Sequence, residues 1–234
     1  MSLALRAAKM NRAKINPKIP ARFQANFSGY FPSAKNERPV AYFNLIERDF
    51  IVLLEDDPAV KTYDEAPKPL KWSKGGQKFE TAFEFSYRLS GERRILAAVK
   101  SSATIKKFEL AELYCAARAS ARKKGYSDLK LFTEHEIRAM PRLANAEMKV
   151  FQQTPGDHGA HYRAVRSALR MGGGRMSLGC LRQRCGLGAN TYRAIVWLVA
   201  EGTLAAADPD VLLDDDADVL LDDVAETIAR GSLP

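Results

Sequence analysis

The patterns along this chain predict a mixed α/β protein in two parts, and three observations carry the prediction. An amphipathic helix precedes a run of short alternating segments, a helix, a strand and a helix follow, and beyond Pro155-Gly156 come three short helices split by glycine turns. At 234 residues, 46% hydrophobic and 27% charged, the chain is long enough for one or two cores and too apolar for a disordered polymer. The domains read as 1-38, a basic arm; 39-153, the α/β core; 154-205, a small helical domain; and 206-234, an acidic tail.

Residues 1-38 hold eight bases (Arg6, Lys9, Arg12, Lys14, Lys18, Arg22, Lys35 and Arg38) against one acid, Glu37, with Phe23, Phe27, Tyr30 and Phe31 among three prolines. An extended arm of this composition is inexpensive to leave disordered and gains free energy from counterion release on DNA. From Tyr42 to Leu54 the residues Phe43, Ile46, Phe50, Leu53 and Leu54 recur at helical spacing, and Asp57-Pro58 ends the run; Glu47 lies beside the apolar stripe. Segments 60-65, 68-73, 78-88 and 93-100, separated by turns at Gly75-Gly76 and Ser90-Gly91, read as antiparallel strands. In 78-88 the odd positions Phe79, Thr81, Phe83, Phe85 and Tyr87 face one way, so Glu80, Ala82, Glu84 and Ser86 share the other face. The same rule puts Leu96, Ala98 and Lys100 on one face of 93-100. A helix over 104-124 stopped by Gly125, a strand from Leu129 to Phe132 and a helix opening at Thr133-Glu134 complete the core.

In the second part, 158-170, 177-185 and 190-201 read as helices in a helix-turn-helix arrangement, with Gly202-Thr203-Leu204 opening a wing. Thr191, Tyr192 and Arg193 are its expected reading positions, and a protein-docking role is the alternative. The basic residues expected to meet phosphate are Arg12, Lys14, Lys18 and Arg22 in the arm, and Arg182, Arg184 and Arg193 here.

The net charge of +8 conceals an asymmetry: residues 204-234 carry nine acids and one base (−8), leaving 35 bases and 19 acids (+16) in residues 1-203. The tail holds a near repeat, 210-217 and 218-225, whose Leu212, Leu213, Leu220 and Leu221 give an otherwise solvated acidic segment an apolar side. That side suits a basic partner or the chain's own DNA-binding surface. No apolar run approaches a membrane span and the first residues lack a secretory pattern, so the expectation is a cytoplasmic, nucleoid-associated protein with no membrane. Cys115, Cys180 and Cys185 lack the spacing of a zinc site and read as reduced packing residues; His135, His158 and His161 read as surface residues.

A helix carboxylate, a carboxylate on a strand and a carboxylate-x-lysine on the next strand form the constellation of restriction-endonuclease-like, PD-(D/E)xK, nucleases. Their acids hold Mg²⁺ that polarises the phosphodiester, and the lysine steadies the nucleophile or the developing charge. Glu47 and Lys100 fill two of these places.

With these residues in view, the chain resembles the TnsA-type endonuclease subunit of heteromeric, cut-and-paste bacterial transposases. The resembling segments are Asn44-Leu-Ile-Glu-Arg-Asp-Phe, Leu53-Leu-Glu-Asp-Asp-Pro-Ala-Val, Glu80-Thr-Ala-Phe-Glu-Phe, Leu96-Ala-Ala-Val-Lys and Leu129-Lys-Leu-Phe-Thr-Glu-His-Glu-Ile. They cover about residues 38-150, and the helical unit after them is similar to the family's C-terminal domain. The resemblance implies a restriction-endonuclease-like core with a winged-helix unit, nicking of transposon 5′ ends with Mg²⁺, a partner transposase subunit and an ATP-dependent regulator. It places the family's helix glutamate on Glu47 and its lysine on Lys100. The family's strand aspartate, however, falls on Ala82, and its Glu or Gln before the lysine falls on Ala98. Alanine can neither coordinate Mg²⁺ nor accept a proton, so the expectation is a DNA-binding transposase subunit whose nuclease site is depleted. The alternatives are nicking by Glu47 and Lys100 with a migrated ligand (Glu80, Glu84, Glu109 or Glu112), a working site inactivated by substitution, and a winged-helix regulator on a nuclease-like scaffold.

Overall fold

Asn44 stops the chain in an extended conformation and accepts from the Glu47 amide at 3.0 Å, so helix α1, Leu45–Asp56, starts there with one of its free donors satisfied. In this computed structural model, which describes residues 27–74, 76–152 and 159–221, the chain divides into two compact units that meet between Ala139 and Met140. The architecture is mixed α/β, as expected.

The first unit opens with a hairpin, β1 (Gly29–Ser33) and β2 (Arg38–Tyr42), where the sequence suggested the end of a loose arm. Phe31 and Val40 are buried, and the hairpin is tied down by polar contacts. Lys35 Nζ donates to the carbonyls of Leu54 and Asp57 at the end of α1, while Ser33 and Tyr63 hydroxyls both donate to the buried Glu55 carboxylate. Lys35 and Arg38 are therefore structural charges and not arm charges.

Strands β3 (Val60–Glu65), β6 (Phe85–Leu89), β7 (Arg94–Val99) and β8 (Asp128–Phe132) form a sheet in the order β3-β6-β7-β8, antiparallel except for the β7–β8 pair. Phe50 of α1 packs on one face, with ring centroids 5.4 Å from Phe85 and 4.8 Å from Phe132. The other face presents Leu96, Ala98 and Leu129 to Tyr114, Ala117 and Ala121 of helix α3, Leu110–Lys123, and to Leu70 and Trp72 of a separate hairpin. That hairpin pairs β4 (Leu70–Lys74) with β5 (Gln77–Thr81).

Two predicted elements are broken. The strand expected over 78-88 is β5 and β6, belonging to different sheets, so Phe83 and Phe85 lie on opposite sides of the main sheet although period-two spacing would align them. The helix expected over 104-124 is α2 (Ser102–Lys107) and α3, interrupted at Glu109, whose φ of 50° no helix accommodates. A one-turn helix, α4 (Glu134–Ile137), opens with a Thr133/Glu136 capping box and closes the unit, and Arg138 pairs with the buried Asp49.

The second unit contains α5 (Arg142–Phe151), α6 (Gly159–Met171), β9 (Arg175–Ser177), α7 (Leu178–Cys185), α8 (Ala189–Ala200), β10 (Leu204–Ala206) and β11 (Asp218–Leu221). Helix α5 groups here, although the sequence suggested a boundary beyond it at 153. Val165, Leu169, Leu178, Leu181, Ile195, Leu198 and Leu204 make its core. The sheet order is β10-β11-β9, with β11 in the middle. The expected acidic tail thus departs from a solvated segment: Leu213, Ala217, Val219, Leu220 and Leu221 are buried, because unpaired β9 and β10 edges and the open side of the core need a strand between them. The two copies of the repeat adopt different structures, the first an irregular segment and the second opening as β11.

Candidate functional site

Glu47 is the third residue of α1, and there its carboxylate completes a reciprocal cap. Phe43 N donates to Oε2 at 2.7 Å and Asn44 Nδ2 to Oε1 at 2.8 Å. The side chain is only 6% exposed, yet it lines a cavity of about 290 Å³ with Asn44, Glu65, Phe83, Glu84 and Lys100. Burial, with a further push from the Glu84 charge, raises its pKa to about 7, against the pull of its hydrogen bonds and of Lys100.

Glu84, in the bend just before β6, is the carboxylate that meets Lys100. Leaving β5, the chain spends residues 82–84 outside any ladder before joining β6, and that reorients Glu84. Its backbone carbonyl accepts from Ala66 N at 2.8 Å, its Oε2 from Val99 N at 2.8 Å, and its Oε1 is ion-paired with Lys100 Nζ. Lys100 itself follows the end of β7, held by its amide to Phe132 O at 3.1 Å. Glu65, at the end of β3, adds a third carboxylate to the wall, but Arg38 holds both its oxygens at 2.6 Å.

The residues identified from sequence are distributed unevenly. Glu47, Glu84 and Lys100 converge on the cavity. Ala82 is exposed and absent from the cavity wall; Ala98 is fully buried with Leu96, Trp72 and Tyr114, a core position, because β7 turns its even-numbered residues toward α3. Glu80 is exposed on β5 opposite Lys71, and Glu109 and Glu112 are exposed around the α2–α3 break, so none of the three approaches Glu47 in the cavity. Sequence reasoning missed Glu65, whose place depends on the β3–β6 pairing and leaves no local signal.

A single Mg²⁺ uses one or two carboxylates and several waters, so Glu47 and Glu84 suffice in number. Each oxygen of the pair already accepts one hydrogen bond from the protein, which leaves it a second lone pair, and Lys100 neutralises Glu84 directly, so a cation would compete with that ammonium. The cluster as arranged is an ion pair, Glu84 with Lys100, beside a hydrogen-bonded carboxyl, Glu47, whose raised pKa lets it hold a proton near neutrality.

No protein-family model matches this chain. Nor does any curated protein match it.

In the second unit, Thr191 is buried and Tyr192 is half-buried, its hydroxyl donating to Leu213 O at 3.1 Å, so of the three expected reading positions only Arg193 is exposed. Helix α8 is a core helix, with Ala194, Ile195, Val196 and Leu198 buried. Arg182 pairs with Asp215 at 2.6 Å, in the acidic segment whose backbone also accepts from the Leu178 and Gly179 amides at the start of α7. Arg184 is exposed, its guanidinium beside Gly172. Arg12, Lys14, Lys18, Arg22 and His158 lie outside the described residues. Cys115 and Cys180 are exposed thiols and not packing residues; Cys185 packs partly on the core. His135 is exposed. Among the described residues, no helix is long and apolar enough to cross a membrane.

Proposed function

We propose that this chain is a DNA-associated subunit of a heteromeric transposase, TnsA-like, with a restriction-endonuclease-like first unit, a winged-helix-like second unit and a nuclease pocket depleted of its metal site. The observation that carries the reading is the convergence of Glu47 from a helix, Glu84 from the entry to a strand and Lys100 from the end of the next strand at one cavity. Ala98, at the place of the family's Glu or Gln, supplies a methyl group to the core, and Lys100 is spent on Glu84. The subunit would then bind transposon ends beside a catalytic partner transposase and an ATP-dependent regulator, in the cytoplasm at the nucleoid, contributing architecture and not cleavage.

Glu84 favours one competing reading, in which Mg²⁺-dependent nicking survives because cation binding draws Glu84 away from Lys100. The purified chain incubated with supercoiled plasmid and Mg²⁺ or Mn²⁺ separates them. The expected result is DNA retention in a gel shift without nicking. Nicking that disappears in both Glu47→Ala and Glu84→Ala would establish the active reading instead. Restoring the family residues at 82 and 98 is a poor test, because Ala98→Glu would bury a charge among Leu96, Trp72 and Tyr114.

A further inference from the structure

Helix α6, Gly159–Met171, contains three arginines and no acid. Its buried residues Val165, Ala168 and Leu169 turn one side to the core. At 100° per residue, Arg163, Arg166 and Arg170 fall within an arc of about 60° on the opposite side, spread over about 10 Å of helix axis. All three are exposed, and none has an ion-pair partner among the described residues. Elsewhere in the same unit Arg175 and Arg182 are paired with Asp218 and Asp215. Three like charges on one helical stripe repel one another, so an unpaired stripe is a cost to the isolated fold that a polyanion would offset.

We infer that this stripe, and not the third helix of the helical unit, is the surface through which the second unit holds nucleic acid, by contacts to the phosphodiester backbone. The inference rests on the DNA-associated reading and names the surface that serves it. Charge complementarity selects the partner. The guanidinium fork matches two phosphate oxygens, three of them in line on a rigid helix track consecutive phosphates, and the stripe holds no apolar anchor of the kind a protein partner needs. Contacts of this kind position a duplex without reading its bases, which suits a unit whose expected reading residues Thr191 and Tyr192 are turned inward.

The test measures binding of a random-sequence DNA duplex to the full chain as a function of salt, for the native protein, Arg163→Gln/Arg166→Gln/Arg170→Gln, the corresponding triple Lys variant, and Arg193→Gln. Glutamine keeps helix propensity, and circular dichroism checks the fold. Each lost phosphate contact flattens the slope of log K against log salt by roughly 0.9, so the Gln triple should flatten it by about 2.7. The Lys triple should retain most of the slope and Arg193→Gln should change it little. A native protein that binds with a slope unchanged in the Gln triple overturns the stripe and leaves the DNA reading intact. A native protein with no affinity for the duplex overturns both. Loss of poly-glutamate binding with DNA binding untouched would assign the stripe to an acidic protein and also overturn the inference.

Discussion

Glu47 shows how one residue can satisfy two demands. As the third residue of α1 it closes a reciprocal cap with Asn44, which any helix could use, but its burial beside Glu84 raises its pKa to about 7. A carboxyl with a raised pKa keeps its proton in the fold over an interval, here from 4.5 to about 7, in which the unfolded chain has lost it. The folded state then binds more protons than the unfolded, and stability falls as pH rises through that interval. Glu47→Gln removes this slope. At 1.36 kcal/mol per pKa unit, the native protein should lose up to about 3 kcal/mol relative to the variant between about pH 5 and pH 8, measured by urea unfolding. Parallel pH profiles for the two proteins would show that Glu47 titrates at its ordinary value.

Among elements, β11 departs furthest from expectation. Acidic residues at 214–216 and 218 announce a solvated tail, and the leucines between them are explained only when β11 is seen between β9 and β10. Val219, Leu220 and Leu221 are buried, and burial of such a side chain is worth about 1.5–3 kcal/mol. Ending the chain at residue 207 should therefore abolish cooperative unfolding of residues 140–207, since the loss approaches the whole stability of a small domain. A sharp thermal transition in that fragment, followed by circular dichroism, would show that β11 is dispensable. The broken strand teaches the same lesson. Alternation in Phe79, Thr81, Phe83, Phe85 and Tyr87 is uninterrupted, and nothing local distinguishes one strand from two; what separates β5 from β6 is the pairing of one with β4 and the other with β3 and β7. That pairing brings Glu84 to Lys100 where a continuous strand would have aimed Ala82.

At the scale of the whole molecule, each unit has its own core, one built on the four-stranded sheet and α3, the other on α6, α7, α8 and β11. Residues 27–139 and 140–221 expressed separately should each unfold cooperatively on heating. A fragment that binds hydrophobic dyes and lacks near-ultraviolet dichroism would show that its fold depends on the other part. The charge division of the chain also changes meaning. Part of the −8 of residues 204–234 is spent inside the second unit, where Asp215 and Asp218 pair Arg182 and Arg175, and the α6 stripe, beside the exposed Arg142, Arg184 and Arg193, belongs to the basic surface that those pairs leave over.

Local patterns determined the amphipathic α1, the strands at 60–65 and 129–132 and the three helices of the second unit, because each depends on periodicity, capping or spacing within a short stretch, while Glu47 and Lys100 were singled out by the nuclease constellation and the resemblance that carries it. Only tertiary pairing decided that Glu84 faces Lys100, that Ala98 belongs to the core, that Thr191 and Tyr192 are turned inward and that an acidic segment supplies a central strand. Those outcomes depend on which distant segment lies alongside, and a hydrogen-bond ladder between residues far apart in the chain leaves no mark on the residues next to them.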